Sequence, residues 1–221
     1  MIEIINGIKI YKVKDVQTPA LRGLNLHVDV GEFVAIMGPS GCGKSTLLNI
    51  LGGMDTLTSG VYKFNGETVP TDNVRELHAF RRDHVSFVFQ NFALIPYYTV
   101  YENVVIPLTA KGVKPKERKQ IVMEKLEYLG IADLAKKLPI HISGGQQQRC
   151  AIARALAAGN ELLLADEPTG ALDSDTAAET MELLRGLNKE GKTIIVITHD
   201  SNVASYATRT LHMLDGVIQG A

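Results

Sequence analysis

Apolar positions along this chain change rhythm, and each rhythm predicts a different kind of element. Between Ile2 and Gly31 they fall in short β-branched runs broken by Gly7, Pro19 and Gly23, the pattern of antiparallel strands joined by turns. Val61 to Phe64, closed by Asn65-Gly66, predicts one more strand of that kind. Phe33 to Met37, Val85 to Phe89, Leu162 to Ala165 and Thr193 to Thr198 are instead near-continuous apolar runs, as expected of strands covered on both faces of a parallel sheet. From Tyr97 to Ala158 the pattern is almost wholly helical, with an amphipathic repeat over Lys116 to Leu129 between Pro115 and Gly130. The chain therefore predicts an α/β fold: a core around a parallel sheet, an antiparallel β subdomain and an inserted helical subdomain. We expect one domain over 1–221, with 1–90 and 160–221 forming the core and its antiparallel part and 91–159 the helical insertion. The basic run from Lys111 to Lys119 reads as a solvated helix face without a role.

Composition narrows the class of protein. Hydrophobic residues at 45% and charged residues at 21% are ordinary globular values, which excludes disordered and collagen-like chains. With 23 Lys and Arg against 24 Asp and Glu, nothing in the overall charge draws the chain to nucleic acid or anionic lipid. No run approaches the ~18 apolar residues of a membrane span. The start Met1-Ile2-Glu3-Ile4 lacks the basic and small-residue features of a secretory signal, so the cytosol is the expected compartment. Cys42 and Cys150 have neither metal-binding spacing nor a disulfide framework, and both read as passengers.

The first candidate chemistry is Gly38-Pro39-Ser40-Gly41-Cys42-Gly43-Lys44-Ser45, which fits G-x-x-x-x-G-K-[ST] directly after an expected strand and before the helical Leu47 to Leu51. In such a loop glycines let successive N–H groups converge on phosphate oxygens, and the following helix adds the positive end of its dipole. Lys44 would supply a point charge to the β- and γ-phosphates, Ser45 a hydroxyl to Mg²⁺, and Thr46 would lie near the α- and β-phosphates. A second element follows Leu162 to Ala165: Asp166 and Glu167 stand at the C-terminal end of a strand, where open α/β sheets bind ligands. Neighbouring carboxylates point to different sides, which assigns Asp166 to the Mg²⁺ shell and Glu167 to the attacking water as general base.

Between these motifs lies Ile142-Ser143-Gly144-Gly145-Gln146-Gln147-Gln148-Arg149, followed by an Ala-rich stretch to Ala158. Ser143 and Gln146 make an S-x-x-Q capping box, and Gly144 and Gly145 leave the helix start bare of side chains. This segment resembles the signature sequence of the ATP-binding cassette (ABC) ATPases, with Ile142 where the family usually has Leu, a volume-conserving swap. The resemblance extends over nearly the whole chain. It implies a phosphate-loop NTPase core, ATP and Mg²⁺ as cofactors, and a head-to-tail homodimer in which Ser143, Gly144, Gly145 and Gln146 meet the γ-phosphate of ATP held by the opposite subunit. It further implies that Tyr11 stacks on adenine, that Gln90 touches Mg²⁺ or water and senses the γ-phosphate, that Asp173 in Gly170-Ala171-Leu172-Asp173 reaches across the dimer, and that His199 hydrogen-bonds the γ-phosphate. Read alone, Tyr11 would be a strand-packing residue, and Gln90 and His199 polar residues at strand ends.

Phe89 to Pro96, Glu102 to Leu108 and the triple Gln146-Gln147-Gln148 resemble the lipoprotein-releasing and macrolide-exporter group. The implied function is an ATPase subunit at the cytoplasmic face of the inner or plasma membrane, powering a separate integral membrane subunit. Phe92, Leu94, Ile95, Tyr97 and Tyr98 form an apolar cluster after Gln90 that reads equally as a partner-facing surface or as core. A regulatory cassette acting on a membrane-linked cell-wall enzyme is the alternative. A soluble ABC ATPase acting on nucleic acid is disfavoured, because the chain carries neither a long coiled-coil insertion nor a basic face.

Overall fold

The computed structural model describes residues 1–14, 16–71 and 73–219. In chain order the strands are β1 (Ile2–Val13), β2 (Val16–Val28), β3 (Phe33–Met37), β4 (Ser59–Phe64), β5 (Glu67–Thr68), β6 (Val85–Phe89), β7 (Leu162–Asp166), β8 (Thr193–Thr198), β9 (Arg209–Leu214) and β10 (Val217–Gln219). The helices are α1 (Lys44–Leu51), α2 (Val74–His84), α3 (Val100–Ala110), α4 (Pro115–Tyr128), α5 (Gly144–Ala157), α6 (Ser174–Lys189) and α7 (Ser201–Ala204), with single 3₁₀ turns at Ala132–Leu134 and Pro139–His141.

One sheet has the order β10-β9-β3-β8-β7-β6; its five strands from β9 to β6 run parallel, and β10 closes the edge as an antiparallel hairpin strand. The other, β2-β1-β4-β5, is antiparallel throughout. The continuous apolar runs are explained by the two-residue period of a strand. In β3, Phe33 and Ala35 enter the core under α3 to α6, while Val34 and Ile36 enter the core shared with α1 and the antiparallel sheet. β7 and β8 repeat this: Leu163, Ala165, Ile194 and Val196 face one side, Leu162, Leu164, Ile195 and Ile197 the other.

Turn chemistry sets the β4–β5 and β9–β10 hairpins. Asn65 and Gly66 are both left-handed (φ 52° and 85°), as a two-residue hairpin turn of the I′ type needs. Asp215-Gly216, at φ 48° and 81°, does the same between β9 and β10, a pair of strands that the apolar runs alone did not reveal.

In the basic run Lys114, Lys116 and Lys119 are exposed, as a solvated face requires, but Lys111 and Arg118 are partly buried and engaged. The Lys111 ammonium donates to Ala158 O (2.7 Å) and Asn160 Oδ1 (2.6 Å), and Arg118 donates to Val113 O and Thr109 Oγ1, so two of these cations tie α3 to its surroundings. Both cysteines are buried and unpaired.

Candidate functional site

The parallel strands β3, β6, β7 and β8 deliver Gly38, Gln90, Asp166 and His199 to the same end of the sheet, because every one of these residues ends or follows its strand. A cleft of about 730 Å³ lies there, within the size range of small-molecule sites. Tyr11, Ser40, Gly41, Gly43, Lys44, Ser45, Thr46, Gln90, Asp166, Glu167 and His199 all line it. The sequence reading did not anticipate its remaining walls, Thr18, Pro19 and Ala20 of β2 and Ile197 of β8. No local signal marks them; β2 reaches the cleft only because the antiparallel sheet folds over the loop.

The phosphate loop is built by close approach. A Cβ on Gly38 would sit 2.2 Å from Met213 O, and one on Gly43 2.5 Å from Ala20 O, so neither position tolerates a side chain. Gly43, at φ 106°, is the N-cap of α1 and offers no side chain to cap it, which leaves the first-turn N–H groups facing the cleft with their dipole end. Lys44 Nζ donates to Gly38 O (2.7 Å) and Pro39 O (2.9 Å), so the ammonium is folded against the loop it would serve.

Asp166 is the last residue of β7 and is half-buried. Burial, and secondarily the charge of Glu167, hold its carboxyl above the usual carboxylate range, while Lys44 pulls the other way. Glu167 is left-handed (φ 45°), an uncommon conformation for a residue with a side chain, pinned by its N–H to Ile197 O (2.9 Å). Its carboxylate is well held: Thr198 Oγ1 donates to Oε2 (3.1 Å), His199 N donates to Oε1 (3.1 Å), and His199 Nδ1 lies 2.6 Å from Oε1. The Glu167 side chain is 16% exposed and that of His199 74%, so the imidazole is the movable partner. Ser45, Asp166 and Gln90 bring one hydroxyl, one carboxylate and one carboxamide to the cleft. Among the described residues no group of three His, Cys, Asp or Glu side chains is arranged to hold a metal. Such a sparse oxygen set suits a Mg²⁺ ion that takes its other ligands from phosphate and water.

Gln90 packs on Gly170, where a Cβ would come within 2.7 Å of its Nε2. Beyond it Phe92 and Ala93 are both left-handed (φ 62° and 47°). The Arg154 guanidinium, projecting from α5, donates to Ala93 O (2.5 Å) and Phe92 O (2.8 Å) and holds that kink. The apolar cluster that follows divides: Leu94 packs on the core, whereas Ile95, Tyr97 and Tyr98 are exposed, Tyr97 at 88%.

Ser143, Gly144, Gly145, Gln146 and Asp173 lie outside the cleft. The expected capping box is present, with Ser143 Oγ accepting from Gln146 N (3.3 Å) and Gln146 Oε1 accepting from Ser143 N (2.9 Å). A Cβ on Gly144 would fit at ordinary contact distance from Leu172 Cδ2 and Phe92 Cζ (3.8 Å each), whereas Gly145 is crowded: a Cβ there would meet Thr176 Cγ2 at 2.5 Å. Asp173 is exposed and caps α6, accepting from Thr176 N (3.0 Å) and Thr176 Oγ1 (2.8 Å). The start of α5 and the start of α6 thus form one surface, separate from the cleft.

Comparison with known proteins agrees with this geometry. The sequence model of a family described as "ABC transporter" matches residues 21–170, a span that includes Lys44, Gln90, Ser143 and Glu167 but stops short of Asp173 and His199. The chain is 47% identical over 210 residues to the ABC transporter ATP-binding protein YtrE of Bacillus subtilis, covering 95% of this chain and 91% of that protein. It is 45% identical over 208 residues to the macrolide export ATP-binding/permease protein MacB of Shigella flexneri, covering 94% of this chain but 32% of MacB, so it spans about a third of that relative's length. Among solved structures, a dimeric post-hydrolysis state of the ATP-binding cassette MJ0796 bound to ADP and Pi superposes with a TM-score of 0.91 at 44% identity, over 99% of this chain and 97% of that one.

Proposed function

The chain belongs to the ABC transporter family, and from that premise we propose that it is an ATP-binding and ATP-hydrolysing subunit that pairs head to tail with a second copy and drives a membrane subunit. The observation that carries this reading is the division of the expected residues into two surfaces. Eleven line one cleft, while the start of α5 and Asp173 stand on a surface outside it. A second copy would bring those groups to the first copy's nucleotide, and the solved relative MJ0796 is itself a dimer bound to ADP and Pi.

In this reading the loop N–H groups and Lys44 hold the β- and γ-phosphates, and Tyr11 receives the adenine. Ser45, Asp166 and Gln90 would hold Mg²⁺, which when bound neutralises phosphate charge as the terminal phosphoryl group leaves. Glu167 takes the proton of the attacking water. Its carboxylate is pre-oriented by Thr198 and the His199 backbone, so little reorganisation is left to the reaction itself. His199 leaves Glu167 to donate to the γ-phosphate, a swing that its exposed imidazole makes easily. Residues 91–159 act as a helical subdomain that carries the signature surface.

The membrane subunit docks beside Gln90. A groove of about 540 Å³ there combines Phe87, Phe89, Ile106 and Pro107 with Arg75, Arg81, Arg82 and Arg154, which suits an amphipathic segment with acidic residues. The relatives named macrolide exporters support an export-type system, working at the cytoplasmic face of the membrane. No helix among the described residues is long and apolar enough to cross a membrane, which fits a partner that does so.

The head-to-tail arrangement is tested by mixing Lys44→Ala and Ser143→Arg proteins. Each homodimer lacks both complete sites, whereas the heterodimer keeps one. Neither variant alone hydrolyses ATP and the mixture regains activity; heterodimers proven by differential tagging that stay inactive would refute it.

A further inference from the structure

Lys9, in β1, carries an ammonium group on a side chain only 12% exposed, an unusual depth for a lysine without a structural task. Its Nζ donates to Asp55 Oδ1 (2.5 Å) and Thr56 O (2.8 Å), and it lies 5.0 Å from the centre of the Tyr11 ring, within the range of a cation–π contact. Both oxygens of Asp55 are engaged: Oδ1 also accepts from Thr56 N (2.7 Å), and Oδ2 accepts from the Tyr11 hydroxyl (2.8 Å). The β1 ladder shifts register between Lys9 and Ile10, and such a bulge re-aims the side chains beyond it.

The chain position of Asp55 matters as much as its bonds. It follows the C-terminal end of α1, the helix whose N-terminus is the phosphate loop, and its N–H donates to Asn49 O (3.2 Å) of that helix. Thr58 then pins the same segment to β1 through Thr58 N to Ile8 O (2.7 Å) and Ile10 N to Thr58 Oγ1 (3.0 Å). The aromatic platform on the antiparallel sheet is thereby tied to the helix that carries the phosphate loop, with one face of the ring covered by Lys9.

We propose that Lys9 and Asp55 are positioning residues that hold the Tyr11 ring with one face free and at a fixed offset from the phosphate loop, so that base and phosphates of one nucleotide engage together. This rests on the reading of Tyr11 as the base platform. A ring so fixed spends little of the stacking free energy on its own ordering, and a loose ring loses that advantage for the base alone.

The test compares dissociation constants for Mg-ATP and for Mg-tripolyphosphate, which has the phosphates and no base, by titration calorimetry on the intact chain. Stacking on an aromatic side chain contributes enough that Tyr11→Ala should weaken Mg-ATP by roughly 10-fold or more, with tripolyphosphate unchanged within about twofold. Lys9→Met and Asp55→Ala should each weaken Mg-ATP by roughly 3- to 10-fold with the same indifference to tripolyphosphate, and Lys9→Arg, which keeps the cation over the ring, should restore it. If Tyr11→Ala changes the preference for ATP while Lys9→Met and Asp55→Ala do not, the positioning role falls and the base platform stands. If Tyr11→Ala changes nothing, both fall. Loss of both affinities together in the Lys9 and Asp55 variants would mark a merely structural pair and also overturn the proposal. Should Asp55→Ala fail to fold, as judged by circular dichroism, Lys9→Met against Lys9→Arg decides alone.

Discussion

Glu167→Gln separates binding from chemistry more cleanly than any other substitution in the cleft. Glutamine keeps the shape: its Oε1 can accept from His199 N and its Nε2 can donate to Thr198 Oγ1, which has a second lone pair besides the one that accepts from Asp200 N. One charge-assisted hydrogen bond weakens, at a cost of about 1 kcal/mol. Against it, removal of the Glu167 charge relieves one of the two causes that hold the Asp166 carboxyl above its usual range. The two effects oppose each other, so stability should change by no more than ~1 kcal/mol, or roughly 2–4 °C in Tm for a chain of this size. Chemistry behaves otherwise, because an amide cannot accept the proton of the water. Hydrolysis should slow by about 10²- to 10⁴-fold, equivalent to about 3–5.5 kcal/mol of barrier. ATP then persists between two copies, and the variant should elute as a dimer in ATP and as a monomer in ADP, while phosphate release measures the rate. Hydrolysis at the wild-type rate would remove Glu167 from the role of base. An inactive variant that stays monomeric in ATP would leave the chemistry standing and refute the nucleotide-sandwiched pair.

Three further outcomes follow from the coordinates. Asn103 is fully buried, accepts from Ile95 N (2.7 Å) and donates toward Ile95 O, Tyr98 O and Thr99 O, so Asn103→Ala orphans the loop after Gln90. It should cost about 1–3 kcal/mol, a fall in Tm of roughly 2–12 °C in differential scanning calorimetry, and an unchanged Tm would show that the loop does not depend on it. Burial pushes the Cys150 thiol up to about 12 against the opposing pull of Arg154, and Cys42 is also buried, so a disulfide reagent should label neither cysteine in the native protein and both in denaturant. Because the Asp166 carboxyl is raised on folding, its charge opposes folding at neutral pH and ceases to matter once the group is protonated in both states. In the absence of Mg²⁺, Asp166→Asn should therefore raise Tm at pH 7, and the gain should vanish as the pH falls below the ordinary range of about 4; a gain independent of pH would contradict this.

Much of the site was legible because its parts are local. The phosphate loop needs glycine at Gly38, Gly41 and Gly43 within one strand-to-helix turn, the capping box spans only Ser143 to Gln146, and Asp166 and Glu167 mark a strand end. What local spacing left undecided depended on distant neighbours. Gly145 reads by sequence as part of a bare helix start, and only the fold adds that Thr176, far along the chain, would also collide with a Cβ there. Leu94 and Tyr97 belonged to one apolar cluster by sequence, and only packing assigned the first to the core and the second to solvent. Lys111 read as a surface charge until Asn160 and Ala158 came to meet it.

The sequence by itself determined strands β3, β6, β7 and β8 of the parallel sheet, the phosphate loop, the capped signature helix and the identity of the titratable groups, since each is set by spacing within a few residues. The tertiary structure alone decided that Thr18, Pro19 and Ala20 wall the cleft, that Arg154 fixes the kink after Gln90, and that Lys9 and Asp55 hold Tyr11. Each of these joins residues 44 to 62 positions apart or lies between two separate sheets. No periodicity in a chain records such pairings, because they arise from how its elements close on one another to bury their apolar faces.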